Sequence, residues 1–527
     1  METNEITKIY FKRLKFNDDT ELILEKNSIV VFTGANNSGK SQVLRDIEAC
    51  LDKSNYSEMI VLKENEPVYC GTIVNKDFLK KHFRLNEYGM YMSIEGGCSY
   101  DINSLESEWK NRTLYNNIHK MFVHRLSTEE RLTSSNALYR TDNVEGAPIY
   151  KLSKNEKLAQ KISDYFRQAF GVDLVVNRNE MTTIPLHVGQ APDKTAYTID
   201  KQDDYYGLVE KLPRLDKQGD GMRSFASILL NTFTSDYSIT LIDEPEAFLH
   251  PPQARILGKM LAKNNLDNSQ LFISTHSEDF LQGLLDAENA NVTVIRINRE
   301  NNVNRMSALQ NDKIKELWGN PILRYSNILS GLFHEKVVVC ESDYDCLFYQ
   351  AIMNAIYEQK NEIAPDILFT HCGGKNRMKD VVSALKAVDV PVIAICDFDI
   401  LNSSQNLKNL TSAFKLEWNG ELAENMKIIY DSMNAKNSAG VDAWQQIKKI
   451  GKDGFGGNEP AAYERVDKIY KSAGLFIVPV GEMECFDKTI NKEKKDWVYS
   501  VLEGRDLKTD SKLEDARKFL QEVVDFK

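Results

Sequence analysis

No uninterrupted apolar run in this 527-residue chain approaches the eighteen or so residues that read as a bilayer span, and the N-terminus METNEITKIYFKRLKF lacks the apolar stretch and small-residue cleavage site of a secretory signal. A membrane-spanning or exported protein is therefore not expected, and a cytoplasmic location follows by default. The eight cysteines (Cys50, Cys70, Cys98, Cys340, Cys346, Cys372, Cys396 and Cys485) form no CxxC pair, which argues against zinc. Cys340, Cys372 and Cys396 border strand-like apolar runs, as reduced, buried thiols do. Positive charge is in deficit, with a formal net charge of −11. Spread evenly, that would make a poor non-specific DNA binder, but carboxylates gathered at cation sites can coexist with basic grooves elsewhere. Neither an internal repeat nor a sustained heptad is visible, so solenoids and long coiled-coil arms are not expected.

What is present is a globular composition, 42% hydrophobic and 27% charged, in a chain too long for one ordinary core. Strand patterns at ITKIYFKRLKF, TELILEKN and SIVVFTG lead through a glycine-rich turn into the helical SQVLRDIEACL. Residues from about 52 to 215 mix helix, strand and polar loop signals and are read as an insertion. Order returns with the helix QGDGMRSFASILLNTF and the buried-strand patterns SITLIDEP and QLFISTHS, which belong with SIVVFTG in one parallel sheet. A new α/β alternation starts at KVVVCESD. It runs through strands DILFTHC, PVIAICDFD and GLFIVPV with helices between, which places a domain boundary near residue 325. The expected domains are thus 1–325 and 326–527, the second ending in helices.

Gly34, Ala35, Asn36, Asn37, Ser38, Gly39, Lys40 and Ser41 satisfy the GxxxxGK[ST] pattern directly after a strand and directly before a helix. Glycines let backbone fold around phosphate, the helix N-terminus offers free N–H groups, Lys40 neutralises the outer phosphates and Ser41 can ligate Mg²⁺. The strand Ile239–Asp243 ends in a carboxylate followed by Glu244, a pair suited to organising Mg²⁺ and activating water.

Strand-end carboxylates recur downstream. Glu341 closes a strand, Asp345 follows four residues later as a helix begins, and Asp397 and Asp399 close another strand as an Asp-x-Asp pair. Residues two apart on a strand share a face, so that pair is expected to converge on a cation. Such an oxygen-only site suits Mg²⁺ or Mn²⁺, which can polarise a phosphate and generate a hydroxide nucleophile.

The first set of motifs resembles the ABC-type ATPases, the class that includes DNA-repair and SMC-like heads. Gln218 to Ser224 is similar to their signature segment and His276 to their switch histidine. The resemblance implies a head-to-head dimer, or a higher homo-oligomer, with ATP between subunits and with Gly221 and Ser224 contacting the partner's nucleotide. The segment lacks the Ser-Gly-Gly core common in transporters, and nothing signals a membrane partner. The second set resembles the Toprim domain, although Ser342 stands where many such domains have glycine. Gly373-Gly374-Lys375 looks like the turn between the Toprim motifs. Gly481-Glu482-Met483-Glu484 looks like a late element that adds a carboxylate, Glu484 or alternatively Glu482. A late lysine on the scissile phosphate is also implied, with Lys488 nearest and Lys492, Lys494 and Lys495 in competition. The basic run KKIGKDGFGG (448–457) is a candidate mobile loop touching DNA.

Together, in this order, the motifs resemble the overcoming-lysogenization-defect (OLD) nucleases. The resemblance implies an α/β chain with an ABC-type ATPase head followed by a Rossmann-like Toprim domain, cutting DNA under ATP control. CESDYDCLFYQAI further resembles the retron-associated branch, which implies phage defence and a partner reverse transcriptase with its RNA–DNA product. The rival expectation is an ATP-gated DNA clamp or scaffold that binds without cutting.

Overall fold

The computed structural model describes residues 6–52, 59–94, 98–115, 117–140, 146–193, 202–234, 236–264, 269–289, 291–300, 303–309, 329–438 and 442–526. The chain divides into two compact units, Met1–Asn311 and Asp312–Lys527. The boundary expected near residue 325 lies outside the described residues.

In the first unit the strand Ile29–Thr33 is buried at all five positions. Burial on both faces is what a parallel sheet flanked by helices demands. This strand lies third in a six-stranded sheet ordered Val303–Leu309, Val292–Glu300, Ile29–Thr33, Gln270–Ser274, Ile239–Asp243, Val123–Leu126. Only the outer pair 292–300 and 303–309 is antiparallel. The register sets Asp243 beside Ser274 and Ser274 beside Phe32. The segments following these three strands therefore leave the sheet at one edge, and the parallel grouping read from their sequences is observed.

The described residues between 52 and 215 contribute strands and helices to this unit. Leu62–Cys70 pairs antiparallel along Lys8–Phe16, and Val123–Leu126 closes the central sheet beside Ile239–Asp243. Phe166, on the helix Glu156–Phe170, packs edge-on against Phe225 of the helix Asp220–Thr234.

The second unit is a four-stranded parallel sheet ordered Ile367–His371, Lys336–Cys340, Val392–Cys396, Leu475–Ile477. The helix Asp343–Lys360 follows the second of these strands in that order, and the helices Lys494–Gly504 and Glu514–Asp525 share its apolar core. Trp497 is fully buried there, its ring edge-on to Phe348 and its indole N–H donating to Asp487 O at 3.2 Å. All eight cysteines are free thiols, five of them buried. Among the described residues no helix is long and apolar enough to cross a membrane.

The C-terminal helices thus hold the helix whose first turn carries Asp345. Trp497→Ala is expected to destabilise the second unit by about 3–5 kcal/mol, read by chemical denaturation. A cost below about 1 kcal/mol would mean that this packing is not what stabilises the unit.

Candidate nucleotide and metal sites

The loop after Ile29–Thr33 folds back on itself because two of its glycines take conformations closed to other residues. Gly34 has φ +139°, and a Cβ there would lie 2.1 Å from the Ile297 carbonyl oxygen; Gly39 has φ +106°. Asn36 and Asn37 are exposed at the crest of the loop, whereas Ser38 is buried. Lys40 opens the helix Lys40–Ala49 and is buried, its Nζ donating to Gly34 O at 2.9 Å and Ala35 O at 2.8 Å. The ammonium is therefore held inside the loop where phosphate oxygens would be cradled. Ser41 Oγ donates to Asp243 Oδ1 at 2.9 Å, and Ser274 Oγ donates to the same oxygen. Ser41 and Asp243, expected to share Mg²⁺, are thus in contact.

Glu244 has φ +50°, unusual for a residue with a side chain, and its N–H donates to Ser274 O at 2.9 Å. His276 Nδ1 lies 3.3 Å from Glu244 Oε1, which brings together the residues expected to serve as switch and to activate water. Glu246, which sequence reasoning passed over, fixes this arrangement from below. Its Oε1 accepts from the Thr275 hydroxyl at 2.8 Å and the His276 N–H at 3.0 Å, and burial pushes its carboxyl above the usual range. The only sequence signal for it was its place one proline beyond the Asp-Glu pair.

Gly221 is half-buried, and a Cβ there would meet the Phe248 carbonyl oxygen at 2.6 Å. Ser224, expected to contact a partner's nucleotide, is fully buried on the helix Asp220–Thr234. Its hydroxyl is buried there without a hydrogen bond.

In the second unit, Glu341, Asp345, Asp397, Asp399 and Glu484 line one cavity of about 840 Å³. The Asp-x-Asp pair gets there by a different route from strand alternation. The strand stops at Cys396, and Asp397 leads into a 3₁₀ turn, Phe398–Asn402, that contains Asp399. Phe398 anchors the turn by donating its N–H to Gly481 O at 2.7 Å and by packing against Phe455 and Tyr463.

Burial, then repulsion from Asp399, pushes the Glu341 carboxyl up to about 7, opposed by the Asp397 N–H that donates to Glu341 Oε1 at 3.3 Å. Asp397 is driven well above the ordinary carboxylate range by burial and by Glu341, Asp345 and Asp399. Asp345 is also raised by burial, while its Oδ2 accepts from Ser342 N–H at 2.8 Å in a reciprocal helix cap. That cap gives Ser342 a defined role at the position where glycine was expected. Glu484 Oε1 accepts the Lys494 N–H at 2.7 Å.

Lys375, placed by the Gly373-Gly374 turn at the start of a helix, lies 3.0 Å from Asp399 Oδ2. Lys448 enters the same cavity 3.3 Å from Glu482 and 3.9 Å from Asp399. Its helix docks closely on 479–481, where a Cβ on Gly481 would lie 2.3 Å from Lys448 O. Lys488, the lysine favoured by chain distance, is exposed and does not line the cavity; of its competitors, Lys494 does. The run 448–457, expected as a mobile loop, is tied down: Lys452 N–H donates to Pro479 O at 2.9 Å and Gly456 N–H to Glu459 Oε2 at 2.8 Å.

Among the described residues no three His, Cys, Asp or Glu side chains close on a common point, so the expected ligands share a cavity without being drawn together. The donor chemistry nevertheless fits a hard divalent cation: every candidate is a carboxylate oxygen, and Asp399 Oδ1 is buried without a hydrogen bond. A Mg²⁺ or Mn²⁺ ion held by these carboxylates would supply positive charge able to polarise a phosphoryl oxygen and acidify water. Lys375 and Lys448 add fixed positive charge at the same wall.

Residues 332–399 match the family model "Overcoming lysogenization defect protein-like, TOPRIM domain". Residues 206–281 match the model "AAA domain, putative AbiEii toxin, Type IV TA system". Two curated relatives align with the chain. The Old nuclease of Escherichia phage P2 is 27% identical over 287 residues, covering 49% of this chain and 45% of that protein. An OLD nuclease of Thermus scotoductus is 26% identical over 174 residues, covering 30% of each. The chain thus spans less than half the length of either relative. Among solved structures, an SMC head bound to the C-terminal winged-helix domain of ScpA aligns over 58% of this chain and 99% of its own, with 14% identity and a TM-score of 0.34. The SMC head domain from Thermotoga maritima aligns over the same shares with 10% identity and a TM-score of 0.27.

The crowded carboxylates make a pH-dependent prediction. Glu341 has a folded pKa raised to about 7, above the ordinary value of 4.5. Its cost to folding is absent below about pH 4.5, grows as pH rises and is complete above about 7, at roughly 3 kcal/mol. Glu341→Gln, which keeps the oxygen facing the Asp397 N–H, is expected to raise the metal-free melting temperature by several degrees at pH 8. The difference should vanish near pH 4.5. A variant that melts with wild type at both pH values would show that these carboxylates do not repel.

Proposed function

We propose that this chain is an ATP-binding DNA endonuclease or nickase that hydrolyses phosphodiesters with Mg²⁺ or Mn²⁺ at the Toprim cavity, under control of an ABC-type ATPase unit acting as a head-to-head homodimer or higher oligomer. The observation that carries the reading is the single cavity in which Glu341, Asp397 and Asp399 face Lys375 and Lys448. Carboxylates bind the cation, and the two ammonium groups meet the charge of the phosphate backbone. In the first unit, Lys40 and the loop backbone serve the phosphates, Ser41 and Asp243 would hold Mg²⁺, and Glu244 orients the attacking water beside His276. The Toprim match over residues 332–399 and the two nuclease relatives support the same reading.

The finer reading is an anti-phage effector of the retron-associated type, restrained by a reverse transcriptase and its RNA–DNA product. It rests on the likeness of CESDYDCLFYQAI to that branch. A second reading, an ATP-gated DNA clamp without cleavage, is favoured by the ion pairs that engage Asp399 with Lys375 and Glu482 with Lys448.

The test is cleavage of supercoiled, linear and single-stranded DNA by the purified chain with Mg²⁺ or Mn²⁺, with and without ATP, beside Asp397→Ala. Metal-dependent cutting that falls at least about a hundredfold in the variant is expected. Cutting that survives the substitution would remove the assignment of Asp397, and DNA binding without cutting under any condition would select the clamp.

A further inference from the structure

A buried arginine outside every recognised motif reaches the back of the Asp243–Glu244 pair. Arg131 lies on the short helix Thr128–Thr133, which follows the edge strand Val123–Leu126 and starts from a reciprocal cap between Ser127 and Glu130. Its side chain is fully buried. Nη1 donates to the Asp243 carbonyl oxygen at 2.6 Å, and Nη2 donates to the Glu244 carbonyl oxygen at 3.0 Å and to Thr128 Oγ1 at 3.1 Å. The guanidinium is thus held by main-chain carbonyls and the Thr128 hydroxyl rather than in a carboxylate ion pair, with Nε buried and without a hydrogen bond. Burying this cation is costly unless its geometry satisfies it, and a planar fork spanning two successive carbonyls is a geometry that lysine cannot reproduce.

The carbonyls it grips flank the backbone dihedrals that aim the Glu244 side chain. Glu244 sits at φ +50°, a conformation that costs roughly 1–2 kcal/mol for a residue with a Cβ and must be held by its surroundings. Ser274 O receives its N–H at 2.9 Å, and its own carbonyl receives both Arg131 and the Ala247 N–H at 3.0 Å. The helix bearing Arg131 is itself anchored to the signature helix. Arg223 Nη2 donates to Leu132 O at 2.6 Å, and Ser134 shares a hydrogen bond with Ser227. The clamp is therefore braced between the sheet edge and the helix that begins at Asp220.

We infer that Arg131 is a positioning residue for ATP hydrolysis: its fork on the Asp243 and Glu244 carbonyls holds Glu244 in the left-handed conformation that points its carboxylate at the attacking water. The inference rests on the proposed ATPase reading. It predicts an effect on turnover through Glu244 rather than on nucleotide affinity, because the hydrogen bonds of Arg131 go to Asp243, Glu244 and Thr128 and not to Lys40 or the loop 34–39.

The test measures steady-state ATP hydrolysis and fluorescent-ATP binding for the full chain and for Arg131→Lys, Arg131→Met, Glu244→Gln and the double variant Arg131→Met/Glu244→Gln, with melting temperature as a folding control. Arg131→Met is expected to bind the nucleotide within about threefold of wild type while kcat falls at least about tenfold, with Arg131→Lys between the two. The double variant should be no slower than Glu244→Gln alone, since Arg131 acts through that side chain. Folded Arg131 variants that turn over at the wild-type rate overturn the inference, as does a double variant slower than Glu244→Gln by the full factor of Arg131→Met. If Arg131→Met does not fold, Arg131→Lys carries the comparison, and equal kcat values for it and wild type overturn the inference. A wild-type chain with no ATP turnover overturns the ATPase reading and the inference with it, and is seen before any variant is compared.

Discussion

Glu341 and Asp397 are held at the ends of neighbouring parallel strands, where burial and repulsion from each other and from Asp399 in the following turn oppose their charge. Keeping like charges together costs folding free energy, and the second unit is arranged to bear that cost. Apolar strands fix the two strand ends side by side. Phe398, wedged against Phe455 and Tyr463, forces the turn that carries Asp399 inward. The C-terminal helices pin the helix of Asp345 through Trp497 and Phe519. Lys375 and Lys448 offset part of the repulsion, and a cation is the remaining counter-charge that the donor set suits.

The first unit solves a related problem with hydrogen bonds instead of cations. Asp243 is surrounded by hydroxyl donors, Glu246 by an N–H and a hydroxyl, and the Asp243–Glu244 backbone by the Arg131 fork. Three parallel strands in register deliver these groups to one edge. Each loop then needs only a few residues to complete the arrangement. A loop cluster of this kind owes its geometry to the neighbours set behind it.

Sequence legibility followed how local the cause was. The loop 34–41, the Asp243–Glu244 pair and the three Toprim carboxylates could be read because each adjoins a short apolar strand, and strand-end chemistry is written within a few residues. The middle segment could not, because strands of two or three residues such as Tyr91–Ser93, Ser99–Tyr100, Leu138–Tyr139 and Thr183–Ile184 are too short to carry a period and exist only through their pairing partners. Asp399 shares the cavity with Asp397 by a turn and not by alternation. Lys448 was read only as part of a basic run, because its place in the cavity comes from a helix distant along the chain and not from its neighbours in sequence. Arg131 lay in STEERL, where nothing marks a buried fork, and the burial of Ser224 on a helix face is likewise invisible to a motif.

The central claim is that the crowded carboxylates of the second unit form a cation site. Its most direct measurement is diffraction from crystals of the chain grown with Mn²⁺, recorded where manganese scatters anomalously. The account predicts an anomalous peak within about 2.0–2.4 Å of oxygens from at least two of Glu341, Asp397 and Asp399, absent in Asp397→Ala. A strong peak elsewhere with none in this cavity, at saturating Mn²⁺, would contradict it.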